Sequence, residues 1–270
     1  MNTPSITSKY PRFTGNGVNI IGTWTLYKKE VHRFIKVYNQ TILAPVVTSL
    51  LFLAVFSLAI GQHASSVGHI NFNQFMASGL IMMAIVQNAF ANTSSSFTMG
   101  KVMGTIVDYL TPPLSAGELV LAMTLAGITR GLMVGILVYT ALLCFIALPI
   151  SSLGYILFYS LAASTLLALL GLLTGIVAES FDQMGAVTSY VITPMAFLSG
   201  TFYSIHNLPT FWQHLSHLNP FFYMIDGFRY GMTGYHDGPL LLGASMLTGS
   251  IAVLWTTIYL LIRRGYRIKN

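Results

Sequence analysis

The sequence predicts an all-α integral membrane protein, because apolar residues are abundant, charged residues are scarce, and the apolar residues occur in long runs. Of the 270 residues, 54% are hydrophobic and only 7% are charged, whereas a soluble globular domain has about 25% charged residues. In lipid every backbone polar group must be bonded internally, which restricts spanning structures to helices and closed barrels. The runs lack the strict alternation of barrel strands, so helices are predicted.

Six apolar segments each come close to the ~20 residues that a helix needs to cross a bilayer core. They cover residues 41–61, 75–96, 119–148, 153–178, 185–203 and 240–262. The third segment is long and contains Arg130, which is costly inside a bilayer unless it is paired or reaches the interface. We therefore expect the crossing itself to begin near Arg130, with the preceding turns at the membrane surface.

Lysine and arginine are concentrated at the two ends of the chain. The first 40 residues contain six, the tail after the last segment contains four, and the predicted loops 62–74 and 149–152 contain none. By the positive-inside rule both ends are cytoplasmic, which requires an even number of spans. We therefore expect one domain over 1–270: a cytoplasmic tail and interfacial helix (1–40), six spans (41–262) and a cytoplasmic tail (263–270). The net charge of +6 then reflects orientation rather than nucleic-acid binding.

Residues 23–38 follow a helical period. One stripe contains Trp24, Tyr27, Val31, Phe34, Ile35 and Tyr38, and the remaining positions contain Lys28, Lys29, Glu30, His32, Arg33 and Lys36. A basic amphipathic helix with aromatic residues is typical of the membrane–water interface. The alternative is an ordinary soluble helix that leads into the first span.

The connection between the second and third spans contains a predicted short helix near residues 100–111. Its apolar face is formed by Met103, Ile106, Val107 and Leu110, whereas Lys101, Thr105 and Asp108 lie off that face. Two prolines, 112 and 113, end the helix, and Ser115 with Glu118 forms a capping box that starts the next one. The helix is either a docking element for a cytoplasmic partner or a structural connector.

The segment 200–238 precedes the last span and is rich in aromatic residues. A helical stripe contains Leu208, Phe211, Trp212, Leu215 and Leu218, and a second short helix is predicted for 221–233 after the break at Asn219–Pro220. Such a hairpin would enter the outer leaflet again, or would form an interfacial cap with aromatic side chains at headgroup level. We expect His214 and His217 to be interfacial polar residues rather than zinc ligands.

Small residues recur at intervals of four, at Gly127, Gly131 and Gly135 and again at Gly171 and Gly175. This spacing lets membrane helices approach closely, either within the chain or at a dimer interface. The single cysteine, Cys144, lies in an apolar run and is expected to be a small buried residue.

Several motifs of enzymes and carriers are absent. The one Gly-Lys pair, Gly100–Lys101, is followed by Val rather than by Ser or Thr, so no phosphate-binding loop is present, and neither a metal motif nor G-x-S-x-G occurs. We therefore expect no catalytic, cofactor-binding or metal site on this chain. The predicted spans contain few ionisable residues, which argues against a secondary carrier or channel and indicates that the energy source is a partner.

The segment 194–229 resembles the C-terminal signature of ABC type-2 transporter membrane subunits. The matching residues are Pro194, Phe197, Leu198, Ser199, Gly200, the pairs Leu208–Pro209 and Asn219–Pro220, and Arg229. Residues 105–118 and the pair Arg130–Gly131 resemble other segments of that family. The resemblance covers nearly the whole chain and is greatest to YadH-like bacterial inner-membrane permeases.

The resemblance implies a permease with six spans, an N-terminal interfacial helix and an outward re-entrant hairpin. In such transporters two copies pair, and separate cytoplasmic ATPase subunits, which bind ATP and magnesium, dock onto the short helix between the second and third spans. This assigns coupling to Lys101, Met103, Ile106, Val107, Asp108 and Leu110, with the apolar side chains filling a cleft and the charged ones at its rim. The family exports varied molecules and does not specify a substrate.

Overall fold

The computed structural model describes residues 18–59, 66–68 and 70–265, without the side chains of residues 59 and 110. The α-helices are α1 (Ile20–Lys36), α2 (Ala44–Ala59), α3 (Phe72–Val102), α4 (Val107–Leu110), α5 (Ala116–Leu143), α6 (Leu153–Val177), α7 (Phe181–Val187), α8 (Thr193–Phe197), α9 (Thr210–Leu218), α10 (Pro220–Thr233) and α11 (Leu240–Arg264). Segments of π-helix, Asn39–Leu43 and Thr188–Ile192, precede α2 and α8, and a 3₁₀ turn covers Ile205–Asn207. Strands β1 (Ser66–Val67) and β2 (Ile70–Asn71) pair antiparallel.

Five helices in the described part of the chain are long and apolar enough to cross a membrane: Asn39–Leu58, α3, α5, α6 and α11. They match the predicted first, second, third, fourth and sixth segments, although α3 extends to Val102 instead of ending near residue 96. The predicted fifth segment, 185–203, is instead the shorter run of α7, π-helix and α8, which begins at Phe181 and ends at Phe197. Its position and length therefore differ from the prediction.

Helix α3 lies at the centre of the fold. It packs against α5, α6 and α10, and every residue from Phe75 to Val86 is buried. The spaced glycines of α5 and α6 allow this packing: a Cβ added at Gly131 would lie 2.9 Å from the carbonyl oxygen of Ile85, and one added at Gly175 would lie 2.7 Å from the Cβ of Phe97. Of the two predicted uses of these glycines, the structure shows packing within the chain.

Local sequence signals account for several helix ends. Ser115 and Glu118 form the predicted capping box at the start of α5, with both reciprocal hydrogen bonds present. Asn71 accepts from the backbone N–H of Asn73 at the start of α3, and α10 ends at Gly234, whose φ of 77° is in the left-handed region, which favours glycine.

Helices α2 and α11 lie at the periphery and are largely exposed along their outer sides. Leu51 in α2 is 61% exposed and Val253 in α11 is 66% exposed, as expected for side chains that contact lipid. The expectation that Cys144 is buried is wrong, because it is exposed at the residue that follows the last turn of α5.

Candidate functional site

Helix α1 uses a different buried face from the predicted aromatic stripe. It lies against α5, and its buried side chains are Leu26, Glu30 and Phe34. Of the predicted stripe, Phe34 is buried, whereas Trp24 is 61% exposed. The prediction placed Glu30 on the polar face; the structure buries its carboxylate completely, so this charge must be satisfied by other groups of the chain.

The carboxylate of Glu30 joins three helices. It accepts a hydrogen bond from Arg33 Nε at 3.0 Å and another from the Tyr109 hydroxyl at 3.0 Å. Arg33 Nη2 donates to the backbone oxygen and to Oδ1 of Asn92 at 2.9 and 3.1 Å, and the Tyr109 hydroxyl lies 3.2 Å from Ser96 Oγ. These five residues, here the Glu30 cluster, connect α1, the C-terminal half of α3, and α4.

Tyr109 is held in place from several sides. Its side chain is 5% exposed, and the Lys29 ammonium lies 4.3 Å from the centre of its ring. Burial, and after it the negative charge of Glu30, raises the pKa of Tyr109 to about 12. The hydroxyl therefore stays protonated at neutral pH and serves as the donor to Glu30.

The prediction of one helix over residues 100–111 is wrong. Helix α3 continues to Val102, a turn follows, and α4 covers only Val107–Leu110. The turn occurs at Gly104, whose φ of 71° is in the left-handed region, a conformation that glycine adopts without strain. It is closed by a hydrogen bond from the Ile106 N–H to the Gly100 carbonyl at 2.8 Å.

Residues 103–108 form an exposed turn between α3 and the end of α4. Met103 is 61% exposed and Val107 is 59% exposed, Asp108 is exposed and Ile106 is half-buried. The side chain of Leu110 lies outside the described part of the structure. The predicted apolar surface is therefore present at Met103 and Val107, but the turn rather than a single helix presents it.

The resemblance places Lys101 at the rim of the docking surface, but in the structure its ammonium caps the C-terminal end of α6. Nζ donates to the backbone oxygens of Ile176 and Ala178 at 2.8 and 2.7 Å, which lie at and just beyond the C-terminus of α6. A positive charge at this end interacts favourably with the helix dipole. The end of α3 is therefore attached directly to the end of α6.

At the opposite end of α3, two residues of the C-terminal signature are in contact. Arg229 of α10 is fully buried; its Nε donates to Ser78 Oγ at 3.2 Å, and its Nη2 donates to the Gly200 carbonyl at 2.6 Å. Its guanidinium also lies 3.6 Å from the centre of the Phe75 ring. Gly200 has a φ of 72°, so the left-handed turn after α8 places its carbonyl oxygen against Arg229.

Asn219 connects the two helices of the predicted hairpin to α8. Its Nδ2 donates to the Met195 carbonyl at 3.1 Å and to Ser199 Oγ at 2.9 Å, while its Oδ1 accepts from the Phe221 N–H at 3.0 Å. Pro220 then forms the first residue of α10. Of the remaining predicted hairpin residues, Leu198 and Pro209 line an apolar groove of about 450 Å³ beside α9.

The connection from α10 to α11 is fixed by two carboxylates. Asp226 accepts the backbone N–H groups of Asp237 and Gly238 at 2.7 and 2.9 Å. Asp237 accepts from the hydroxyls of Ser204 and Tyr235 at 2.9 and 2.6 Å. The segment after α8 and the segment after α10 are thereby held together, and the hairpin is a braced unit rather than a loose loop.

Charged side chains are buried in the fold, but only Arg130 among them lies in a predicted span, so the expectation of few ionisable residues in the spans stands. Glu30, Arg130, Asp226 and Arg229 are all buried, and Arg130 Nη2 donates to Asn88 Oδ1 at 3.1 Å. In the described ranges no group of three or more His, Cys, Asp or Glu residues could hold a metal ion. The interior charges instead form hydrogen-bonded structural contacts between helices.

Comparisons with known proteins agree with this architecture. A family model described as ABC-2 type transporter matches residues 22–233. The chain is 37% identical over 246 residues to the inner membrane transport permease YadH of Escherichia coli (strain K12), covering 91% of this chain and 96% of that protein. It is 25% identical over 242 residues to nodulation protein J of Rhizobium meliloti (strain 1021), covering 86% of this chain and 84% of that protein.

Proposed function

Because the chain belongs to the ABC-2 type transporter family, we propose that it is the membrane subunit of an ATP-driven exporter in the bacterial inner membrane. Two copies of the chain form the translocation pathway. Separate cytoplasmic ATPase subunits bind ATP and magnesium and drive export. The first support is the match itself, which extends over most of the chain and includes a permease relative of nearly the same length.

In this proposal both termini are cytoplasmic and the chain crosses the membrane six times. The run from α7 to α8 makes the fifth crossing and α11 the sixth, and α9 with α10 forms an outward re-entrant hairpin braced by Asn219 and Arg229. Helix α1 lies along the cytoplasmic interface. Its exposed Trp24 and Lys28 suit the headgroup region, where aromatic rings and basic side chains are favoured.

The observation that carries the coupling proposal is the exposed turn of residues 103–108, here named the docking turn. It exposes Met103 and Val107 at the predicted cytoplasmic end, while Tyr109, one residue beyond it, is buried against Glu30 and Ser96. An exposed apolar surface on a rigid support is what an interface anchor requires. Motion of a docked ATPase at this turn would be transmitted through Tyr109 to α1 and α3.

The test is affinity purification of the full chain from its native membranes. We expect a P-loop ATPase to co-purify and to show vanadate-sensitive ATP hydrolysis, and the chain freed of it to hydrolyse no ATP. Val107→Asp should reduce the co-purified ATPase at least about tenfold, because a charge would replace an apolar anchor in the interface. Cross-linking in membranes should show a dimer of the chain.

The matched control is Ile150→Asp, which places the same charge at a position that is 55% exposed in the connection between α5 and α6, away from the docking turn. This variant should retain the ATPase. Recovery of the wild-type chain without any P-loop ATPase would contradict the proposal. Full ATPase recovery and activity with Val107→Asp would show that the docking turn is only a connector.

A further inference from the structure

A cavity of about 240 Å³ lies between the first spanning helix and α3, and part of its wall is polar. Amide and hydroxyl side chains line one part of it: Gln40 and Ser49 from the first spanning helix, and Gln87 and Asn88 from α3. Among the described residues, no carboxylate lines this α2–α3 cavity. A ligand there would meet hydrogen-bonding groups but no negative charge.

Arg130 determines which face of the Asn88 amide this cavity meets. The guanidinium can only donate hydrogen bonds, so its contact at 3.1 Å identifies the Asn88 oxygen as the acceptor. Asn88 Nδ2 donates to the Ala84 carbonyl at 3.0 Å, which uses one of the two N–H groups of the amide. The second N–H remains for an acceptor, and its polarity is increased because the amide oxygen is bonded to a cation.

The charge of Arg130 is not balanced within the described part of the chain. Its side chain is buried, with 8% exposure for the residue; its Nε has no hydrogen-bond partner there; and no described carboxylate forms an ion pair with it. The nearby Arg33 is paired with Glu30, which leaves one positive charge in excess. A buried charge without a counter-ion is costly, and an anion bound next to Asn88 would lower that cost.

The rest of the cavity wall is apolar and includes Phe52, Leu80 and Met83. We propose that the α2–α3 cavity binds an amphiphile with an anionic, oxygen-rich headgroup, placed at Asn88 with Arg130 behind it, and an apolar chain against Phe52 and Leu80. The inference rests on the proposed function in one respect: it assigns this amphiphile as the exported substrate. Asn88 contacts the headgroup, and Arg130 is a positioning residue.

The test measures binding by native mass spectrometry to the full chain in phosphatidylcholine nanodiscs, without any ATPase. The probes are 1-palmitoyl lysophosphatidic acid and the uncharged 1-palmitoyl glycerol, which have the same palmitoyl group. We expect lysophosphatidic acid to bind at least about tenfold more tightly than 1-palmitoyl glycerol, which corresponds to one hydrogen bond to a charged group. Equal binding of the two probes would overturn the inference.

Asn88→Asp provides the variant, because a carboxylate replaces the N–H donor and neutralises Arg130. It should weaken binding of lysophosphatidic acid about ten- to hundredfold and leave 1-palmitoyl glycerol unchanged. Asn73→Asp is the matched control: it makes the same change on α3 outside the cavity and should bind the phosphate like the wild type. Unchanged phosphate binding by Asn88→Asp would overturn the inference, and the two-probe comparison on the wild type tests it even if this variant does not fold.

A second binding experiment distinguishes a transported amphiphile from membrane phospholipid as the source of such a headgroup. With phosphatidylglycerol added to the nanodiscs, retained binding of lysophosphatidic acid supports a transported amphiphile. Displacement by phosphatidylglycerol shows instead that membrane phospholipid occupies the cavity, and it overturns the substrate assignment. No ATPase is present in this binding test, so a negative result does not contradict the proposed exporter function. Conversely, failure of the ATPase to co-purify does not affect the binding result.

Discussion

Replacing Tyr109 with Phe tests whether the docking turn is held to the helical core by a hydrogen bond. The change removes only the hydroxyl, which donates to Glu30 at 3.0 Å and lies 3.2 Å from Ser96 Oγ. The ring and its contact with the Lys29 ammonium are kept. Glu30 remains buried, with Arg33 as its remaining side-chain donor.

A hydrogen bond to a charged group contributes about 1.5–3 kcal/mol. Local opening of residues 103–111 should therefore become about ten- to hundredfold more frequent in Tyr109→Phe. Hydrogen–deuterium exchange in nanodiscs measures this directly: amides of that segment should exchange faster by this factor, and amides in the middle of α6 should not change. Tyr190→Phe is the control, because the Tyr190 side chain is 82% exposed.

A double-mutant cycle with Glu30→Leu, which removes the acceptor, identifies the partner of the hydroxyl. If the two groups act through one hydrogen bond, Tyr109→Phe should have little further effect in the Glu30→Leu background. Less than about a twofold change in exchange for Tyr109→Phe, or full additivity with Glu30→Leu, would refute the reasoning that this bond tethers the turn.

Three further outcomes are expected. Gly131→Ala should destabilise the chain by about 1–3 kcal/mol, seen as a lower melting temperature, since the added Cβ would lie 2.9 Å from the Ile85 carbonyl oxygen; Gly154→Ala, with open space around it, should not. Asn219→Ala should lower stability by about 1 kcal/mol or more through loss of a helix cap, and exchange should rise at the start of α10 but not in α5. The tether of Tyr109 should be constant at neutral pH and lost as pH rises from 10.0 towards about 12, because the fold favours its protonated form; the wild type, but not Tyr109→Phe, should show added exchange in that range.

The spanning helices could be predicted because length and apolar composition are local properties. Five of the six predicted segments are helices of sufficient length, and the capping box at Ser115 and Glu118 was readable from two residues. The predicted fifth segment, 185–203, lies later in the chain than the observed run from Phe181 to Phe197. Ser180 caps the helix that starts at Phe181, and the apolar pattern alone does not show that start.

The side-chain contacts of the site could not be predicted, because they join residues far apart in the sequence. Glu30 and Tyr109 meet across two helices, and no periodic pattern encodes that pairing. A signal did exist: Glu30 is the one acidic residue among the first 40, in a helix otherwise rich in Lys and Arg. The break at Gly104 was missed because the apolar spacing of Met103, Val107 and Leu110 fits one helix, whereas the left-handed φ of Gly104 interrupts it.

The cap that Lys101 places on α6 has a mechanical consequence. Since its ammonium holds the carbonyl oxygens of Ile176 and Ala178, a displacement of the docking turn is a load on two helices rather than one. Sliding of α3 along α6 would break these bonds, so the two helices move most easily together as a rigid pair. In the proposed exporter, tilting of this pair would convert a small shift at the docking turn into rotation of the end where Gly200 and Arg229 lie.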